Sequence, residues 1–269
     1  MAAQEDIEVV VTAVKESRKY RDTSEETIRE LAIEALQQHK RPKAAIKAVR
    51  TRLHSIMAPY LGDPDYEALS AQLSAAYAAH DEAAIKDLCW QALDGHLSTR
   101  ERLPIMENFY SEIFAVTGKP ARLMDIACGL NPLAMPWMHL PPAVEFLAYD
   151  IHEPRIAFIN HFLTLQGLRP LAKVQDVAIS LPQEFADVAL FLKEMPRFER
   201  NYPGTGRAFL RDLQARFLVV SFPTISTHGG RSLVTRYREF FAQLTEGETW
   251  PVTELMFPGE MVFIAEKDT

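Results

Sequence analysis

The spacing of apolar residues changes once along the chain. Up to about residue 117 they recur at three- and four-residue intervals, the period of helices with one buried face. TSEETIRELAIEALQQHK opens with a capping box, Thr23 with Glu26, and sets Ile28, Leu31, Ala32 and Ala35 on one stripe. A second helix is expected from Pro42, because proline's fixed φ suits a first helical position. YEALSAQLSAAYAAH and DEAAIKDLCWQALDGHL predict two more, the latter stopping near Gly95.

Beyond residue 120 short apolar runs take over: ARLMDIA, VEFLAYD, LAKVQD, ADVALFL, RFLVVSF and MVFIAE, separated by helix-like or turn-rich pieces. Strands alternating with helices predict an α/β domain, a mostly parallel sheet covered on both faces, preceded by an all-helical N-terminal domain. The change of pattern puts the boundary near residue 98, giving domains 1–98 and 99–269. With 269 residues there is ample material for both cores.

The chain carries no long apolar run and no charged-then-apolar leader, so it reads as a soluble, cytoplasmic protein with no membrane partner. Cys89 and Cys128 fit no metal-ligand spacing and are expected to be buried, reduced thiols, with no metal bound. A net charge of -7 argues against nucleic-acid binding by the chain as a whole. Binding depends on local potential, however. HKRPKAAIKAVRTRLH holds Lys40, Arg41, Lys43, Lys47, Arg50 and Arg52 without one acid. On a helix Lys43, Lys47, Arg50 and His54 share a stripe beside the apolar Ile46, Val49, Leu53 and Ile56. That stripe is either a plain solvated face or, as the missing counter-charge favours, a contact for phosphates, which Arg18, Lys19 and Arg21 would extend.

DIACGLNPLAMPW lies where the first strand meets its helix, the place where doubly wound sheets bind ligands. Three spaced glycines would mark a pyrophosphate cradle; only Gly129 is present, enough for close approach of a nucleoside. VEFLAYD ends on Asp150, about twenty residues later, suited to ribose hydroxyls. KVQD ends on Asp176, suited to an adenine amino group. An aspartate ending a strand is often only a turn former, but the ordered series points to S-adenosylmethionine. In STRERLP, Ser98 and Glu101 form a plausible capping box that puts Arg100 and Arg102 in a first helical turn, where cations oppose the dipole. Either an anion such as the cofactor's carboxylate docks there or the pair makes a surface salt bridge.

These pieces resemble the 16S ribosomal RNA guanine-1405 N7-methyltransferases of the aminoglycoside-resistance type. The matching stretches are STRERLP, DIACGLNPLAMPW, AYDI, VQDV, DVALFLKEMPRFE and VVSFPTISTHGGRS, spread over nearly the whole chain. The resemblance implies a Rossmann-like methyltransferase domain and a helical domain that docks on 16S rRNA within the 30S subunit. It implies that Arg102 holds the cofactor carboxylate, Gly129 the close turn, Asp150 the ribose and Asp176 the adenine. Their neighbours Ala127, Ile151, Val177 and Leu192 would complete the slot, and Arg231 would face the target RNA beside Lys40, Arg41, Lys43, Lys47 and Arg50. Similar sequences usually carry a basic residue after SFPT and a shorter spacer before GGR; here Ile225 and the Thr227-His228 pair stand there.

Methylation at guanine N7 needs no general base, because the nitrogen has a free lone pair and no proton. Accordingly no catalytic residue is assigned; Phe109, Trp137 and Phe222 are candidates for stacking on the base, with core packing the alternative. Two other functions fit the same residues: methylation of a small metabolite under a helical lid, and RNA binding without catalysis. Hydride transfer is disfavoured by the missing glycines.

Overall fold

The computed structural model describes residues 4–57, 63–226 and 230–267. The chain begins with helices α1 (Gln4–Lys15), α2 (Glu25–Gln38), α3 (Pro42–Met57), α4 (Tyr66–Ala78), α5 (Glu82–Gly95), the short α6 (Leu97–Arg100) and α7 (Met106–Thr117). Then follow β1 (Arg122–Ile126), α8 (Met135–Met138), β2 (Glu145–Asp150), α9 (Glu153–Leu165), β3 (Ala172–Val174) and β4 (Ala186–Leu192). The last part contains α10 (Met195–Asn201), α11 (Gly206–Asp212), β5 (Ala215–Pro223), α12 (Val234–Leu244), β6 (Val252–Phe257) and β7 (Glu260–Glu266).

The strands form one sheet in the order β3-β2-β1-β4-β5-β7-β6. Pairing is parallel from β3 through β5, while β7 joins β5 antiparallel and β6 completes a hairpin. The order reverses between β1 and β4, which opens a crevice beyond their carboxyl ends. This is the Rossmann-like fold expected. The strand missed in the sequence is β6. It is an edge strand with Val252 and Met256 about half exposed, so it shows no buried run to read.

Two expected helix starts fall elsewhere. Ser24, not Thr23, caps α2, its hydroxyl accepting from Thr27 N–H. Thr23 instead pairs with His152 across a β-bridge, and its hydroxyl meets the Met57 sulfur at 3.3 Å. The helix α6 starts at Leu97, ahead of Ser98, so Ser98 does not cap it; that side chain lies outside the described residues. Arg100 therefore ends a helix, beside Asp94, where a cation complements the dipole.

Apolar packing does not divide at residue 98. Helices α1–α3 enclose a core of their own, with Val10, Val14, Ile28, Ala32, Val49 and Leu53 at its centre. Helices α4 and α5 bury Leu69, Leu73, Ile85, Cys89 and Leu93 in the core on one face of the sheet, together with α7 and α9. The other face is closed by α10, α11 and α12. A helical pattern reveals which face is apolar but not which neighbour covers it. Cys89 and Cys128 are free and buried. Among the described residues no helix is long and apolar enough to cross a membrane, and no cluster of His, Cys, Asp or Glu could hold a metal ion.

Candidate active site

A cavity of about 340 Å³, within the size range of small-molecule sites, opens beyond the carboxyl ends of β1, β2 and β4. Ala127, Asp150, Ile151, Asp176 and Val177, all expected in a cofactor slot, line it. The opposite wall comes from the three-helix bundle: Arg18, Lys19, Asp22, Ile56 and Met57. The bundle is stapled at this wall, with Ser24 N–H donating to Ile151 O at 2.7 Å and Glu153 N–H to Asp22 O at 2.9 Å. The helical half is therefore not a separate docking unit: it walls the cavity, as the lid of the metabolite alternative would.

The turn after β1 explains its glycine. Ala127 is held at φ +50° and Gly129 at φ +52°, a left-handed conformation that costs a residue with a Cβ on the order of 1–2 kcal/mol. Lys193, directly after β4, stands at φ +60°. Both central strands thus end on strained residues, Ala127 in the cavity lining and Lys193 beside Glu260, the kind of strain that clusters at functional sites. A Cβ on Gly129 would point at His96, 3.5 Å from its ring, not into the cavity. The glycine answers a backbone angle, therefore, rather than the close approach of a ligand. Its N–H donates to Asp150 Oδ2 at 3.0 Å.

Asp150 is buried and well supplied with donors. Besides Gly129, the His152 N–H donates to Oδ1 at 2.9 Å, and Arg155 Nη1 reaches Oδ1 at 3.1 Å and Oδ2 at 3.0 Å. Asp176, also buried, accepts from Ala178 N–H at 3.0 Å, and burial pushes its carboxyl above the usual range.

Arg102 is neither in a first helical turn nor at the surface. It follows α6 and is 2% exposed. Its Nη2 and Nε donate to Glu260 at 2.7 and 3.2 Å, its Nη1 donates to Asn131 Oδ1 at 2.9 Å, and the guanidinium lies 4.6 Å from the Phe109 ring centre. The salt bridge expected as surface decoration is a buried one, and its acid comes from the far end of the chain. Burial raises the Glu260 carboxyl, but the charges of Arg102 and Lys193 outweigh it and hold it below its ordinary value. Asn131 also donates to Asp125 Oδ2 at 2.8 Å, and burial pushes Asp125 up to about 7. Leu192, at the end of β4, packs against the core covered by α4, α5, α7 and α9 and is not among the residues lining the cavity.

Phe109, Trp137 and Phe222 are core residues, the last stacked on Tyr237. The aromatics at the cavity are Phe191, Phe198 and Tyr202, with Arg52 lying 5.4 Å over the Tyr202 ring. PRFER gave no pattern that distinguished Phe198 from a core position. On the bundle's outer side Lys40, Arg41, Lys43, Lys47 and Arg50 are exposed, while Ala45, Val49 and Leu53 are buried beneath. None of these five cations meets a carboxylate among the described residues; Arg50 donates to the Ala13 carbonyl at 2.7 Å. Arg231 is exposed beyond the end of β5, its carbonyl accepting from Ser226 N–H. Ile225 beside it is 54% exposed, and the Thr227-His228 pair lies outside the described residues.

Residues 16–264 match the family described as ribosomal RNA methyltransferase (FmrO). The chain belongs to that family. It is 34% identical to a 16S rRNA (guanine(1405)-N(7))-methyltransferase of Micromonospora echinospora over 99% of this chain and 98% of the relative. The same identity links it to one of Frankia casuarinae, over 97% and 94%. Among solved structures it is similar to the 16S rRNA methyltransferase RmtF in complex with S-adenosyl-L-homocysteine, at 30% identity and a TM-score of 0.84, covering 99% of this chain and 100% of that one. The 16S rRNA methylase RmtB follows the same fold with 30% identity, a TM-score of 0.79 and coverage of 97% and 98%. Family membership favours methyl transfer over binding alone, and RNA over a metabolite.

Proposed function

We propose that this protein transfers a methyl group from S-adenosylmethionine to N7 of guanine 1405 of 16S rRNA in the 30S subunit and thereby confers aminoglycoside resistance. The observation that carries the reading is the cavity itself, which sets the predicted series Ala127, Asp150, Ile151, Asp176 and Val177 around one space beneath a basic bundle. Support comes from the chain's family and from relatives that share most of its length.

The cofactor's nucleoside fits between Asp150 and Asp176, with Ala127, Ile151 and Val177 against its apolar faces. Gly129 supports this slot through its N–H bond to Asp150, and Leu192, at the end of β4, is assigned to the same slot. Arg102 meets the methionine carboxylate with the N–H groups that Glu260 and Asn131 leave over. The bound cofactor supplies an activated methyl on a sulfonium. The protein's part is alignment, for which effective molarity contributes about 7–11 kcal/mol. No side chain has to take a proton, because guanine N7 carries none. In A-form RNA that edge faces a groove too narrow for side chains, so the base is met unstacked or turned out. Phe198 and Tyr202 offer it a stacking surface at the cavity.

Docking on the small subunit is assigned to the helical region 1–98, with Lys40, Arg41, Lys43, Lys47 and Arg50 of the bundle on phosphates and Arg231 on the target side. Methylation adds a positive charge to the base and removes an acceptor, so a deoxystreptamine aminoglycoside that pairs there loses a hydrogen bond and meets like charge. The test is methyl transfer to purified 30S subunits against a metabolite panel, with the modified base mapped by primer extension. Transfer to metabolites alone, or a modified base other than guanine 1405, refutes it.

A further inference from the structure

Arg155 occupies the first turn of α9, where a cation opposes the helix dipole. Its acids account for the placement. Nη1 bridges both Asp150 oxygens, Nη2 donates to Asp63 Oδ1 at 2.7 Å, and Nε donates to Tyr66 Oη at 3.3 Å. Tyr66 in turn donates to Asp63 Oδ1 at 2.6 Å. The Arg155 side chain is 5% exposed, and Asp63, Asp150, His152 and Arg155 all line the cavity. Asp63 stands just before Asp65, whose carboxylate caps α4 by accepting from Glu67 and Ala68 N–H. One guanidinium therefore joins the end of β2 to the chain entering α4.

A carboxylate offers about four lone-pair positions, and Asp150 already meets four contacts: two backbone N–H groups and Arg155 twice. The N–H groups are fixed by their turns. Arg155 alone has a second carboxylate to move toward. We propose that Arg155 is a positioning residue: a ribose diol accepted by Asp150 takes one of its oxygens from Arg155 and drives the guanidinium more fully onto Asp63, so that nucleoside binding tightens the start of α4. This rests on the cofactor reading above. A lysine could not serve, since a point charge cannot span two acids as a planar fork does.

The test is hydrogen exchange of the amides in residues 65–69 of the full-length protein, with and without saturating S-adenosylhomocysteine, calorimetry being run on the same samples. In the wild type the ligand binds and slows exchange there. In Arg155→Lys it binds roughly tenfold more weakly, the equivalent of one charge-assisted hydrogen bond, and the slowing disappears. Asp63→Asn, which leaves the Asp150 end intact, keeps measurable binding and also loses the slowing, so the test survives misfolding of the first variant. Binding to the wild type with unchanged exchange overturns the coupling alone, as does slowing that persists in Asp63→Asn. No binding to the wild type overturns the cofactor reading and the coupling with it.

Discussion

In the sheet-bearing half most arginines end on a carboxylate: Arg102 on Glu260, Arg122 on Glu145, Arg155 on Asp150 and Asp63, Arg216 on Glu266, Arg238 on Glu254. Along α3 and just before it, none of the cations does, among the described residues. The two regions therefore spend positive charge differently. In the sheet half it is neutralised locally and fixes geometry; along α3 it remains available to an outside anion, although elsewhere in the bundle Lys15 and Arg29 are paired with Glu153, Glu8 and Glu25. The exceptions in the sheet half sharpen the contrast. Arg200, Arg231 and Arg236 are exposed or half-exposed without a carboxylate partner among the described residues, and they follow β4 and β5 at the cavity end of the sheet. Local pairing on one side and unpaired cations on the other let a chain of net charge -7 present a basic surface.

The comparison breaks most visibly where a pair is buried. Glu260→Ala strands the Arg102 cation at 2% exposure, and removing one partner of a buried pair costs about 3–5 kcal/mol. Urea denaturation should show a loss of that size, and an unchanged midpoint would mean that the pair does not fix the fold. Reversing Lys43, Lys47 and Arg50 together should leave the denaturation midpoint nearly unmoved. It should lower affinity for small subunits and reduce the slope of log affinity against log salt by about 3. A slope that stays put would remove the bundle from the RNA footprint.

Smaller effects test the cavity edge. Gly129→Ala keeps its contacts at ordinary distance from His96 but strains φ at +52°, so it should cost about 1–2 kcal/mol by thermal unfolding. A clean loss of cofactor affinity without destabilisation would instead restore the close-approach role. A separate test is one of pH. Asp125 stays protonated in the folded state up to about 7, against an ordinary 3.8. Between those values the unfolded chain binds fewer protons than the folded one, so this carboxyl makes stability fall as pH rises from about 4 to 7 and level off above. Asp125→Asn should flatten that decline; a pH profile identical to the wild type would show that the carboxyl is ionised in place.

Much of the site was legible in the sequence because strand ends carry their residues to one edge by topology alone. Once ARLMDIA, VEFLAYD and LAKVQD are parallel strands, Ala127, Asp150 and Asp176 must converge. The basic stripe was legible for a similar reason, helical period sorting Lys43, Lys47 and Arg50 from Val49 and Leu53. What could not be read depended on partners far away in the chain. Arg102 and Glu260 are 158 residues apart, and Arg155 and Asp63 are 92 apart. No local pattern announces such pairs, and each changed the meaning of a residue: Arg102 from a surface cation to a buried one, Asp150 from a free acceptor to a shared one.

The alternation of apolar runs determined the sheet, its covering helices and the edge at which ligands bind, because period and burial are properties of neighbouring residues. Only the tertiary structure decided that α4 and α5 belong to the sheet's core, that the three-helix bundle walls the cavity, and which acid each arginine meets. Those are matters of which surfaces meet, and a surface acquires its partner only when distant segments pack together.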